Sequence, residues 1–201
     1  MILVDGRDYG KDVQNFGTLE ELLIDVKNGA EMQGRIVTDV LVNNEIFSEI
    51  YPHQADDITT NLFSSVEIRS VPNSKLALDI VGEMDKVCKM MKAGSRTISS
   101  LLRRSANAEA LELFQDLLDV TRDFLAMQNG LRLEFGIEVS GEYGMQVKVL
   151  DALLAEMNSV MEQEDWVLLA DLLEYEFGPQ CEGWEKVVSG LQDDIRNAVN
   201  Q

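Results

Sequence analysis

The sequence predicts an α+β protein: a small N-terminal α/β domain over residues 1–72, β-grasp-like (ubiquitin-like) in its order of elements, followed by an antiparallel α-helical bundle of four to five helices over 73–201. Three observations predict it. Before Val71-Pro72-Asn73-Ser74, short apolar runs rich in Val and Ile alternate with turn signals. After that point, apolar residues recur at spacings of three and four for long stretches, the period of a helix face. Prolines occur only at Pro52, Pro72 and Pro179, so long helices are possible and a proline-rich linker is not.

In the first part, Ile2-Leu3-Val4, Asp5-Gly6 and Arg7-Asp8-Tyr9 read as strand, tight turn and strand. Thr18 and Glu21 have capping-box spacing and open a helix carrying Leu19, Leu22, Leu23 and Val26, which Asn28-Gly29 or Gln33-Gly34 would end. Arg35–Val42 is the clearest strand, and Asn43-Asn44 suits a hairpin turn into Glu45-Ile46-Phe47. Asp56-Asp57-Ile58 is a candidate short helical turn, and Ser65–Val71 alternates as a last strand. Strand, strand, helix and two or three further strands is the order of a ubiquitin-like domain. The chain runs on past Val71 without a Gly-Gly terminus, so the pattern does not point to conjugation.

In the second part, Leu76, Ile80, Met84, Val87, Cys88, Met91, Ile98, Leu101 and Leu102 form the stripe of a first bundle helix. Asn107 is a candidate N-cap for a second, with Ala110, Leu111, Phe114, Leu117, Leu118, Thr121, Phe124, Leu125 and Leu131 facing inward. Gly136, Gly141 and Gly144 mark a loop; Val147, Leu150, Leu153, Leu154, Met157, Val160 and Met161 give a third helix. Asp165 caps or begins a fourth, with Trp166, Leu169, Leu172 and Leu173. Gly178-Pro179 interrupts that pattern, which resumes at Trp184, Val187, Val188, Leu191 and Ile195, so a kink or break is expected near Phe177. Trp166, Trp184 and most of the nine methionines read as core, although methionines also suit an adaptable groove.

Hydrophobic residues at 45% and charged residues at 26% exclude disorder. With 36 acidic against 17 basic side chains, the formal charge of −19 weighs against nucleic acid and anionic membrane as partners, since both reward the opposite sign. Asp5 cuts short the opening apolar run, where a secretory signal needs roughly 7–15 apolar residues and a membrane span about 20. Cys88 and Cys181 lie far apart and form no CxxC pair, which suits two free, buried thiols and a cytoplasmic location.

Catalytic signatures are sparse. His53 is alone and lies beside Pro52, which leaves neither Glu-x-x-His pairs for a di-iron site nor a Cys/His zinc set. The glycine-rich stretch Gly136–Gly144 is acidic, the wrong sign for cradling phosphate. Asp171, Glu174, Glu176 and Glu182 cluster about Gly178-Pro179, where they read as a solvated acidic face or, as the minority reading, as ligands of a hard cation. No catalytic, cofactor or metal residue is assigned.

One electrostatic feature rises above the background. Between Lys75 and Arg104 stand seven basic and three acidic residues, whereas Ser105 to Gln201 holds five basic and twenty acidic ones. At about 100° per residue, Lys89, Lys92, Arg96 and Arg103 fall in a narrow arc nearly opposite Ile80, Val87, Met91 and Ile98. They form a candidate partner-docking ridge, or a ridge that balances nearby acidic helices.

The segment Glu164–Glu176, with Asp171-Leu172-Leu173-Glu174-Tyr175-Glu176 at its heart, followed by Gly178-Pro179 and Trp184, resembles the C-terminal signature of a group of uncharacterised bacterial proteins. Ala108–Phe114 with Leu117-Leu118 is similar to that group's second bundle helix. The resemblance implies a small α/β domain joined to a helical bundle and a bacterial cytoplasmic origin; it brings no catalytic residues. The leading expectation is a non-enzymatic protein–protein interaction module, an adaptor, regulator or chaperone-like bundle holding a helical segment of another protein. Its mark would be an apolar groove left open in the bundle. The alternatives are a carboxylate-based metal-dependent enzyme and a structural homodimer, in which the basic ridge of one copy meets an acidic face of the other.

Overall fold

The structure, a computed structural model, describes residues 1–47, 58–139 and 141–199. His53, Asp56 and Asp57 lie outside the described residues. The chain divides into two compact units, Met1–Leu76 and Ala77–Gln201, where the sequence expectation places its boundary after residue 72.

The first unit holds strands β1 (Ile2–Val4), β2 (Arg7–Asp8), β3 (Arg35–Val42), β4 (Glu45–Ile46) and β5 (Val66–Pro72), with helix α1 (Leu19–Lys27) between β2 and β3. They form one five-stranded sheet in the order β2-β1-β5-β3-β4, with β1 parallel to β5 and the other pairs antiparallel. That is the β-grasp arrangement the order of elements predicts. Its two hairpin turns form because Asp5-Gly6 (φ 48° and 76°) and Asn43-Asn44 (φ 50° and 66°) accept the left-handed conformation that a two-residue hairpin needs. The helix cap is a shifted version of the expected box. Thr18 Oγ1 accepts from Glu21 N at 3.3 Å, while the Glu21 carboxylate reaches back to Gly17 N at 2.8 Å. Of the two candidate stops, the first ends the helix: Gly29 N donates to Val26 O at 2.9 Å. Ile2, Val4, Leu19, Leu22, Val26, Val66 and Ile68 make the core of this unit.

The second unit is a helical bundle, of which the first helix starts directly after β5. It holds all but the first four residues of α2 (Asn73–Arg103), with α3 (Asn107–Glu134), α4 (Gly141–Glu162), α5 (Trp166–Asp171), a π-helical segment (Leu172–Phe177) and α6 (Gly178–Val199). Trp184, Leu169, Leu173, Leu191 and Ile195 sit at its centre.

Four local expectations are corrected. The buried residues of α2 are Ala77, Val81, Met84, Cys88, Met91, Ser95, Ile98, Ser99, Leu101 and Leu102, while Ile80 and Val87 are only partly buried. The buried face is thus rotated by about 40° toward the basic residues, because small Ala and Ser side chains admit a close neighbour that a hydrophobicity pattern does not register. Helix α4 begins at Gly141, six residues before Val147; buried Tyr143 packs edge-on against Trp184 and holds the glycine-bearing first turn in place. Gly178-Pro179 does not break the chain's helical course. Gly178 N donates to Leu173 O, five residues back, so the turn widens to π. In a regular α-helix the proline ring would meet the carbonyl four residues earlier. A Cβ on Gly178 would stand 3.3 Å from Ser95 Oγ, so glycine also permits the close approach to α2.

Asn107 is the first residue of α3 and not its cap; the preceding Ala106 holds the cap position without a side-chain bond. The reason lies in how α2 ends. Ser105 N donates to Leu102 O and Ala106 N to Leu101 O, both at 3.0 Å, with Ser105 at φ 58°. Glu164 (φ 55°) closes α4 in the same way, whereas α3 ends on Gly136 (φ 61°), the residue the motif favours. Ser105→Gly and Glu164→Gly are each expected to stabilise the bundle by about 0.5–1 kcal/mol by relieving left-handed strain. Urea unfolding followed by helical circular dichroism measures this, and a loss of stability in both variants would refute it.

Candidate functional site

On one side of the bundle α2 and α3 run antiparallel and part enough to leave an open groove. Its first stretch, about 340 Å³, is lined by Met90, Met91, Gly94, Thr97 and Ile98 of α2 and by Leu113, Asp116, Leu117 and Val120 of α3. A second, about 800 Å³, continues it through Leu78, Ile80, Met84 and Val87 to Val120, Phe124 and Met127, and shares Met90 and Val120 with the first. Met90 is 55% exposed and Met127 47%, so two large flexible apolar side chains stand at its mouth. Both fall at positions where the helical period expects a solvated face, which is why periodicity alone did not select them. Asp79, Glu83, Asp116 and Asp123 also line it, and among the described residues the lining includes no basic one.

The basic ridge lies on the other flank of α2 and meets the C-terminal helices. Lys92 Nζ donates to Glu182 at 2.5 Å. Arg103 Nη2 bonds both Asp171 and Glu174 at 2.8 Å, and Ser99 Oγ donates to Glu174 at 3.1 Å. Lys89 pairs with Asp85 on its own helix at 2.6 Å. Arg96 is exposed and helps hold the Glu182 carboxyl low. The bonds from Arg103, then Ser99, hold the Glu174 carboxyl below the usual carboxylate range, and Lys92 does the same for Glu182. Asp171, Glu174 and Glu182 of the acidic cluster about Gly178-Pro179 therefore meet cations of α2, whereas Glu176 lines a separate hollow with Lys148 and Glu156 of α4. Among the described residues no group of three or more His, Cys, Asp or Glu side chains is arranged to hold a metal ion.

Sequence reasoning missed a buried polar pair. Gln128 is fully buried and Arg132, one turn later on α3, is 4% exposed. The Arg132 guanidinium stands 4.4 Å from the Tyr143 ring centroid, and burial pushes its pKa down. Neither amide atom of Gln128, nor Nε or Nη1 of Arg132, has a hydrogen-bond partner among the described residues. The only sequence signal was their spacing, which puts both in line with Phe124 and Thr121 on the buried face. Cys88 and Cys181 are free and buried. No helix among the described residues is long and apolar enough to cross a membrane.

Family models match each part of the chain. A domain of unknown function, DUF8043, matches residues 1–71, and a second domain of unknown function, DUF8042, matches residues 79–187. No curated protein and no solved structure matches. Groove, basic ridge and buried polar pair all lie at or within a residue of the second match, which spans more than half of the 201 residues, and the chain belongs to the DUF8042 family.

Proposed function

We propose that this is a non-enzymatic interaction module of the bacterial cytoplasm, an adaptor or chaperone-like bundle that receives a helical segment of another protein between α2 and α3. The observation that carries this reading is the open groove, apolar along its floor and mouthed by Met90 and Met127. An amphipathic helix laid into such a groove buries its apolar face, and methionines adapt to irregular partners at little cost. From Leu78 to Ile98 the groove follows α2 for about 30 Å, enough for roughly five turns of a partner helix. The groove is preferred to the basic ridge as the docking surface because Lys89, Lys92 and Arg103 already hold ion pairs within the protein. Two free buried thiols fit a reducing compartment.

The test is affinity capture of the tagged protein from its own cells, beside a variant carrying Met90→Glu and Met127→Glu. Both sites are exposed, so the variant is expected to keep its helical circular dichroism. A near-stoichiometric partner held by the wild type and lost in the variant is the expected result. A partner retained by the variant would place docking elsewhere, and a Lys89→Glu, Lys92→Glu, Arg96→Glu, Arg103→Glu variant would then ask whether it is the ridge.

A further inference from the structure

We infer that the partner of the α2–α3 groove is a basic amphipathic helix, with lysine or arginine flanking its apolar stripe. This rests on the groove being the docking surface and adds the chemistry of what docks there. The rim carries Asp79 and Glu83 from α2 and Asp116 and Asp123 from α3, so acidic side chains border the apolar floor from both walls. A helix seated with its apolar face down presents the residues beside that face to both walls at once. Cations at those positions find carboxylates on either side, whereas carboxylates there would meet like charge in a partly desolvated rim.

Nearby cations pair with two of the four rim acids, Glu83 and Asp123, and leave one carboxylate on each wall, Asp79 and Asp116, for a partner. Lys86 is held by Glu83 at 2.7 Å, and Arg122 by Asp119 at 3.0 Å and Asp123 at 3.2 Å. Asp79 and Asp116 make no ion pair among the described residues. The wider field has the same sign: a chain of formal charge −19 draws a cationic segment from a distance and speeds its association. The same charge disfavours a second copy of this protein as the occupant, since two such bodies repel.

The experiment uses the full chain and three synthetic 21-residue helical peptides with one shared leucine stripe. Their flanking positions carry lysine, glutamine or glutamate, and binding is followed by fluorescence anisotropy. The lysine peptide is expected to bind at least tenfold tighter than the glutamate peptide at low salt. That preference should shrink several-fold in 0.5 M salt. It should also shrink in an Asp79→Asn, Glu83→Gln, Asp116→Asn, Asp123→Asn variant, but not in a control with four acids removed elsewhere (Glu138→Gln, Asp151→Asn, Glu156→Gln, Glu162→Gln). Equal binding of all three peptides, lost on Met90→Glu, would overturn the charge inference and leave the groove reading standing. Equal shrinkage in the rim and control variants would assign the preference to net charge and overturn the role given to the rim. Binding of none of the peptides would overturn both, and self-association abolished by Met90→Glu would make a second copy the occupant.

Discussion

Trp184→Ala is expected to remove about 3–5 kcal/mol from the stability of the helical unit. Trp184 is 2% exposed, and its ring makes edge-to-face contacts with Phe124 of α3 at 5.6 Å and Tyr143 of α4 at 5.9 Å between centroids. One side chain of α6 thus ties three helices together. Each aromatic pair adds about 0.5–1.5 kcal/mol to what area burial supplies. The indole Nε1 has no hydrogen-bond partner among the described residues, so the loss is one of packing and not of a polar bond. Trp184→Phe separates the two: it keeps most of the ring contact and should cost about 1–2 kcal/mol. Guanidinium unfolding followed by helical circular dichroism measures both. Since domains are held by only about 5–15 kcal/mol, the alanine variant should sit close to its unfolding threshold. A loss below about 1.5 kcal/mol would show that the centre of the bundle lies elsewhere.

How much of this was legible in the sequence depends on whether the signal is local. The hairpins at Asp5-Gly6 and Asn43-Asn44 were, because a left-handed turn selects residue types directly. Strand β3 matched its expected bounds, Arg35–Val42, and Asp165 caps α5 as its position suggested, accepting from Leu168 N at 3.0 Å. Apart from the Asn107 cap, which the local turn at Ser105 displaced, what departed from expectation was decided by contacts distant in sequence. The kink or break expected near Phe177 takes the form of a π turn, because the glycine of Gly178-Pro179 admits Ser95 from a helix some eighty residues earlier. Small Ser95 and Ser99 are buried for the same reason, and their burial turns α2 so that Lys92 and Arg103 reach Glu182, Asp171 and Glu174.

The groove follows from that rotation. Once Ala77, Val81, Cys88 and Ser95 face the C-terminal helices, Ile80, Val87 and Met90 are left along the border with α3. The apolar stripe of α2 is wider than the face its neighbours cover, and a stripe width can be read from sequence while its coverage cannot. The basic arc and the open groove are therefore two consequences of one choice of buried face. Mutations at Ser95 or Ser99 that push α6 away would disturb both.

Raising the pH from 7 to 10.5 should weaken the bundle through its two thiols, by about 2–3 kcal/mol for each. Burial pushes both Cys88 and Cys181 up to about 12, since a thiolate loses its hydration there; Glu185 adds to the rise at both thiols, while Lys92 opposes it at Cys181. An unfolded cysteine titrates near about 8.5. The folded pKa is therefore the higher one, and the protonated thiols contribute stability that is complete below about pH 8.5 and is lost as pH rises toward about 12. Within that window the slope approaches about 1.4 kcal/mol per pH unit for each thiol. Lysines and tyrosines titrate in the same range, so the informative quantity is the difference between the wild type and a Cys88→Ala, Cys181→Ala variant in reducing buffer. At pH 7 the variant should be the less stable, by the packing its two sulfur atoms supplied. As pH rises that gap should close and then reverse, because only the wild type has thiolates to bury. A gap that stays constant from pH 7 to 10.5 would mean that the two sulfurs are reached by water in the folded protein, and the close contact of α2 with α6 would have to be redrawn.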